Sequence, residues 1–398
     1  MKKILALSLI TSSLLLANGY KIPEQSLNGM ALSAANVANA HGADAAYYNP
    51  ANMVFNPDKN SYEFLMSYIY LPSVKFENSD GSVYNSRKET FLVPQFHFVS
   101  KDMGGWRWGV SLTTPAGLSK RWDDPIPQAG AKEFTLKTYE LNPSIAIQLN
   151  NNAALAFGLR AVKSEGIANG TVPGTYSFYL DGTSTDYGWN VAYSLQNDKR
   201  DTKFAITYRS KVDLTLKGNA NGYLGTYLFN TEGRATLPIP AALNVAFAKT
   251  FNKTTVEFVF ERTFWSRYKE LNFDFNDPVV ENSFLGQPKP KYWKNANTYR
   301  IGITHQCTEK LTAMLGYSYD NTPIPDSTVD FSLPDSDKNI FSGGLKYKVD
   351  DRMSLGFSAL YAKQKSRHVT ANAALGRPEG TFSDGGALLM AFGMDYSF

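Results

Sequence analysis

Four histidines (His41, His97, His305 and His368) and one cysteine (Cys307) are the side chains of this 398-residue chain best suited to metal binding or nucleophilic catalysis. Their spacing serves neither. The histidines are scattered, with no metal-ligand pattern. No Gly-x-Ser-x-Gly elbow, phosphate-binding loop or dinucleotide-binding glycine motif occurs. A serine and a histidine brought together only by the fold, as in a lipase, would leave no such trace, but nothing in the sequence points to one. A lone cysteine forms no disulfide within the chain and suits packing in a strand better than a nucleophile's role. The expectation is a protein that is not an enzyme, with no metal and no cofactor.

A different chemistry is written at Thr113-Thr114-Pro115-Ala116-Gly117. Pro115 has no N–H for a sheet ladder, and Gly117 permits a bend. From composition alone this is either a kink inside a strand or the strand's ordinary end, and the end is the simpler reading.

The elements that position these residues are strands. Mean hydropathy is −0.30, too polar for a bundle of membrane helices. Aromatic residues make up 14% of the chain, with 23 Tyr and 25 Phe, as the interfacial girdles of a lipid-facing barrel require. A large soluble β-protein has similar totals. The formal net charge is +4, with no dense basic run and so no sign of a nucleic-acid partner. Lys2-Lys3 followed by apolar Ile4 to Leu16 reads as a signal peptide over residues 1–17, cleaved after Ala17 or as late as Gly19. The apolar run is shorter than the ~18 residues of a spanning helix.

At the other end, Met390, Phe392, Met394, Tyr396 and Phe398 alternate with small or polar residues. Period two places them on one face of a strand. Phe204, Ile206, Tyr208, Val212, Leu214 and Leu216 alternate in the same way with Lys203, Thr207, Arg209, Lys211, Asp213, Thr215 and Lys217. Strand segments read at 60–71, 90–101, 106–117, 133–150, 153–165, 184–197, 201–217, 231–250, 253–266, 292–307, 309–320, 338–349, 352–365 and 386–398. About 14 antiparallel strands, an even number, suit a transmembrane β-barrel. It closes by pairing 60–71 with 386–398. Short links such as Asn150-Asn151-Asn152 suit the periplasmic end, and the stretches 72–89, 118–132, 267–291, 321–337 and 366–385 the extracellular end. Residues 20–56 do not read as strands; they suit a plug in a lumen of that width. The domain plan is a plug over 18–58 and a barrel over 59–398.

Gly19-Tyr20-Lys21-Ile22-Pro23-Glu24-Gln25-Ser26 followed by Asn49-Pro50-Ala51 resembles the hatch of the FadL family of outer-membrane transporters. The likeness continues through Val93-Pro94-Gln95-Phe96, Tyr208-Arg209-Ser210-Lys211-Val212-Asp213, Tyr299-Arg300-Ile301-Gly302 and Tyr319-Asp320-Asn321-Thr322-Pro323. It implies a bacterial outer-membrane barrel that takes up long-chain fatty acids or similar hydrophobic molecules. The ligand enters a hydrophobic pocket and leaves sideways through the wall. The resemblance favours the kink reading of Thr114, Pro115 and Gly117, and gives Asn49, Pro50 and Ala51 as the hatch motif. It places Lys291, with Lys289 close by, near one family position that holds a carboxylate. The other has no clear counterpart; Lys163 is the nearest candidate. That departure keeps an aromatic-hydrocarbon transporter open, and a general diffusion porin is the rival class. Implied partners are the ligand, outer-membrane lipid and lipopolysaccharide, and the barrel-assembly machinery, with the chain acting as a monomer.

Overall fold

The computed structural model describes residues 19–398; the expected signal peptide lies outside them. Among the described residues, 14 antiparallel strands close a barrel. They are β1 (Ser61–Leu71), β2 (Glu89–Val99), β3 (Trp106–Thr113 and Gly117–Arg121), β4 (Glu133–Asn150), β5 (Ala153–Val172) and β6 (Tyr176–Gln196). Next come β7 (Thr202–Arg209 and Val212–Leu224), β8 (Tyr227–Ile239 and Ala242–Phe251), β9 (Thr254–Thr263) and β10 (Ala296–Gln306). The circle ends with β11 (Leu311–Asp320), β12 (Lys338–Lys348), β13 (Met353–Gln364) and β14 (Gly386–Ser397). Ser61 faces Ser397 and Tyr70 faces Leu388, so the first and last strands close the ring. Phe398 extends the closure by exchanging backbone bonds with Asn60 at 3.0 and 3.1 Å. A closed ladder leaves no open edge in hydrocarbon.

The strand faces follow the expected period. Phe64, Leu92, Leu112, Ile145, Phe157, Phe258, Ile301, Phe341 and Phe392 stand exposed on the outside. Glu63, Gln95, Glu140, Arg160, Glu257, Glu261 and Arg300 are buried inside. Several features differ from the sequence reading. Strands β5 and β6 run on to Val172 and back from Tyr176. The expected loop 118–132 begins with the second half of β3. In β7, the face that carries Ile206 outside gives way to Val212 and Leu214 inside, buried to 1% and 0%. The pairing of β6 with β7 explains the reversal: Asn190 faces Arg209 but Thr183 faces Lys217, so β7 carries one extra residue. A one-residue bulge turns every later side chain to the opposite face.

Residues Tyr20 to Val54 fill the lumen and are buried almost throughout. They form the short helices α1 (Leu27–Ala31) and α2 (Ala45–Tyr48) and a 3-10 turn over Pro50–Phe55. Ser26 caps α1, its Oγ accepting from the Gly29 N–H. Asp44 gathers the segment on one oxygen, Oδ2, which accepts from Ser26 Oγ, Asn28 Nδ2 and Asn36 Nδ2 at 2.8, 3.0 and 2.9 Å. Glu257 of β9 accepts from the backbone N–H groups of Val37, Ala38 and Asn39 at 2.7, 2.6 and 3.1 Å. Asp44 thus satisfies buried side-chain donors and Glu257 backbone donors that irregular chain would otherwise bury unpaired, at about 1–3 kcal/mol each. Small wall residues allow the close approach: a Cβ on Gly316 would fall 2.2 Å from the Leu32 backbone.

Candidate functional site

Two breaks in the wall and one apolar basin define the site. The first break is in β3. Thr113 faces Glu140 of β4 and Gly117 faces Lys137, so β3 contains one residue more than β4 across this interval. Thr114, Pro115 and Ala116 carry that bulge, and Gly117 resumes the ladder. On the other side, β2 pairs with β3 only from Phe96 to Val99. Glu89 to Gln95 keep their β1 partners but have no ladder partner on β3. Above the gap the wall closes again, through the Arg87 N–H to the Arg121 carbonyl at 2.9 Å and the bridge between Ser86 and Trp122. The result is a framed window. A cavity of about 490 Å³ occupies it, lined from outside by Phe64, Phe96 and Leu112 and from inside by Gln95, Thr138 and Glu140. It therefore passes through the thickness of the wall.

The freed backbone groups find partners in the plug. The Ile22 N–H donates to the Pro115 carbonyl at 2.9 Å, and the Gly117 N–H to the Tyr20 carbonyl at 2.9 Å. Ala116 pairs both backbone groups with Thr138 Oγ1 of β4, at 3.1 and 2.5 Å. Thr114 pairs with Gln25. None of these partners comes from the Asn49-Pro50-Ala51 motif. Asn49 instead donates through Nδ2 to the Val37 carbonyl and to Ser194 Oγ of β6, both at 2.8 Å. Pro50 opens the 3-10 turn, where its missing N–H costs nothing. Ala51 packs against small wall residues such as Ala146, Ala154 and Ala192.

The apolar basin lies at the loop end of the lumen. Tyr20, Ala116, Leu118, Leu136, Val162, Val212, Leu214, Leu237 and Trp265 belong to one buried cluster with Phe273, Trp293 and Phe331 of the loops. The β7 bulge contributes to it by turning Val212 and Leu214 inward. Four aromatic rings pack beside the plug's first residues: Tyr20–Trp265 at 4.9 Å, Trp265–Trp293 at 4.6 Å, Tyr268–Trp293 at 5.0 Å and Tyr20–Trp293 at 5.7 Å. Beside this basin the lumen is charged. Arg160 and Arg209 both bind Glu140, Arg160 at 2.7 Å. Lys21 and Arg300 flank Glu261 at 2.5 and 3.4 Å.

The three candidate cations are not equivalent. Lys291 is buried and bound to Asp330 at 2.7 Å. Burial alone would push the Asp330 carboxyl up, but the Lys291 ammonium and then hydrogen bonds from Ser332 together hold it below the usual range. Lys289 lies with its ammonium 5.5 Å from the centre of the Phe273 ring, and Phe273 also lines a small apolar cleft with Phe134, Leu180 and Leu216. Burial and then the Lys291 charge push the Lys289 ammonium down from its ordinary value. Lys163 stands exposed on the outward face of β5, opposite Tyr139 and Thr185. Alternation with buried Val162 puts it outside the lumen, and the fold does not bring it to the other two. Sequence reasoning missed Gln25, Thr138 and the aromatic group. Only the Gly-x-x-x-Pro-x-Gln-Ser stretch beginning at Gly19 hinted at the first.

A closed barrel with a filled lumen, an apolar basin and a framed window in its wall defines a class: a plugged membrane barrel built for apolar cargo. Residues 8–398 match the model of the family described as "Outer membrane protein transport protein (OMPP1/FadL/TodX)", and the chain belongs to that family. Its setting is the outer membrane. The Long-chain fatty acid transport protein of Escherichia coli (strain K12) is 25% identical over 361 residues, covering 78% of each chain. Outer membrane protein P1 of Haemophilus influenzae is 23% identical over 429 residues, covering 91% of this chain and 90% of its own length. In fold, the Pseudomonas aeruginosa FadL homologue superposes with a TM-score of 0.84 at 18% identity, covering 95% and 99% of the two chains. The Pseudomonas putida toluene transporter TodX gives 0.73 at 15%, covering 96% and 99%.

Proposed function

We propose that this protein takes long-chain fatty acids or similar hydrophobic molecules inward across the outer membrane, passively and without covalent chemistry. The carrying observation is the window cavity between β2 and β3, whose lining changes from lipid-facing Phe64 and Leu112 to lumen-facing Gln95 and Glu140. A solute with no apolar chain has no use for an exit into hydrocarbon. An alkyl chain gains roughly 0.8 kcal/mol per CH₂ moved out of water, which the apolar basin and then the membrane both supply. In this reading residues 1–17 are removed as a signal peptide, and residues 18–58 act as the hatch of a barrel formed by 59–398. Lys289 is the best-placed residue to hold a carboxylate, because Lys291 already has Asp330. The chain acts as a monomer inserted by the barrel-assembly machinery among outer-membrane lipid and lipopolysaccharide.

A second reading, an aromatic-hydrocarbon transporter, is favoured by the ring group of Tyr20, Trp265, Tyr268 and Trp293 and by the neutralised Lys291. A general diffusion porin is opposed by the buried plug, which leaves little room for an aqueous path. The test is mass spectrometry of small molecules that copurify with the folded barrel. Fatty acids support the first reading, and monoaromatic compounds alone support the second. Barrels free of hydrophobic ligand that conduct ions as open pores overturn both.

A further inference from the structure

The plug does more than fill space beside the window: one of its side chains stands in for a missing strand. Gln25 is fully buried. Its Nε2 donates to the Thr114 carbonyl at 2.7 Å, and its Oε1 accepts from the Thr114 N–H at 2.9 Å. A primary amide offers a donor and an acceptor side by side, as backbone does. The pair therefore reproduces one step of a β ladder where the β2–β3 ladder has none. The remaining groups of Gln25 tie that step to the rest of the plug and to the wall. Nε2 also donates to the Ile22 carbonyl at 2.9 Å, and the backbone N–H donates to Tyr48 Oη at 2.8 Å. The Gln25 carbonyl lies 2.7 Å from Nε2 of His97 on β2, the strand that frames the window's far side. One residue thus touches the bulge of β3, the inner face of β2 and helix α2.

We infer that Gln25 is the positioning residue that couples the place of the plug to the opening of the window. This rests on the lateral reading above. The bulge at Thr114 to Ala116 turns inward because Tyr20, Ile22 and Gln25 satisfy its backbone there. When the plug's first residues withdraw, those groups lose their partners together, since the three contacts sit on one short segment. Withdrawal therefore changes the wall, and it also uncovers Tyr20, which links the apolar basin to Ala116 in the same buried cluster. Geometry asks for a residue that can pair with both backbone groups of Thr114: Asn is too short from this position, and Met keeps the volume but neither bond.

The test combines a lock with an isostere, each in the full-length barrel in a background of Cys307→Ser. Ile22→Cys with Pro115→Cys joins plug and bulge by a disulfide, and uptake of a labelled long-chain fatty acid is measured in cells lacking their native transporter. Oxidised protein is expected to lose uptake and regain it on reduction, while purified oxidised barrel still binds the fatty acid. In parallel, Gln25→Met is followed by amide hydrogen exchange. Faster exchange is expected at Thr114 and Gly117, with the amides of β9 and β10 unchanged. Uptake that persists in the oxidised double variant, or unchanged exchange at Thr114 in Gln25→Met, overturns the coupling. If both fail while Gly117→Arg still blocks uptake, the window stands and only the role of Gln25 is wrong. If Gly117→Arg also transports normally, the lateral reading itself has failed.

Discussion

The wall is broken twice, and the two breaks are built in opposite ways. Between β2 and β3 the gap from Glu89 to Gln95 is left open and holds a cavity. Between β6 and β7 the ladder also lapses, over Ser184 to Trp189 on one side and Ser210 to Leu216 on the other. There the wall's own residues repair the gap. The Ser210 N–H donates to the Trp189 carbonyl at 2.8 Å, the Trp189 N–H to Ser210 Oγ at 2.9 Å, and the Thr215 N–H to Asp186 Oδ2 at 3.2 Å. Arg160 reaches across from β5 to the Ser210 carbonyl at 2.6 Å. Gly188 admits Val212, whose Cγ2 would lie 2.7 Å from an added Cβ. Each bulge has a purpose that fits its seal. The one in β7 turns apolar residues into the basin and must stay shut. The one in β3 is satisfied by the plug, a separate piece of chain, and so is closed only while the plug is in place.

If the β6–β7 seam is sealed by fixed side chains, removing them should cost stability and leave uptake nearly alone. The largest effect is expected from Arg160→Ala. Glu140 would keep Arg209 but lose its other partner, and the Ser210 carbonyl would lose its cation. Two buried acceptors each losing a charged donor cost about 1–3 kcal/mol apiece, read as a lower heat or urea midpoint for barrel unfolding in detergent. An unchanged midpoint would mean that the seam does not depend on this network. Gly188→Leu follows at about 1–3 kcal/mol, because its side chain would overlap the buried Val212 and Ser210. Both variants should retain fatty-acid uptake per folded barrel. A large loss of uptake in Gly188→Leu with normal stability would make the second break a passage too, and the contrast drawn here would collapse.

Much of this was legible in the sequence because membrane barrels expose their period. The alternation at Met390 to Phe398 and at Phe204 to Tyr208 marked strands whose faces solvent and lipid dictate. The β7 reversal was not legible. Apolar Ile206 and apolar Leu214 continue one unbroken alternation, although the first faces lipid and the second the basin, and only the inserted residue at Ser210-Lys211 separates them. Pro115 and Gly117 announced a disturbance in β3, but not that the plug would complete its ladder, since Gln25 lies 89 residues away in sequence. Charge was the least readable feature. Lys163, Lys289 and Lys291 look alike as residues, and only the fold puts one outside, one beside the basin and one against Asp330.

The central claim is that cargo leaves through the window and not along the barrel axis. Gly117→Arg tests it most directly. Gly117 resumes the β3 ladder at the edge of the cavity, where an arginine side chain would occupy the passage without entering the apolar basin. Uptake of a labelled long-chain fatty acid should fall to the level of cells without the transporter, while purified Gly117→Arg barrel folds and binds the fatty acid as the parent does. A folded Gly117→Arg barrel that transports at the parent rate would contradict the window and favour a straight path past the plug.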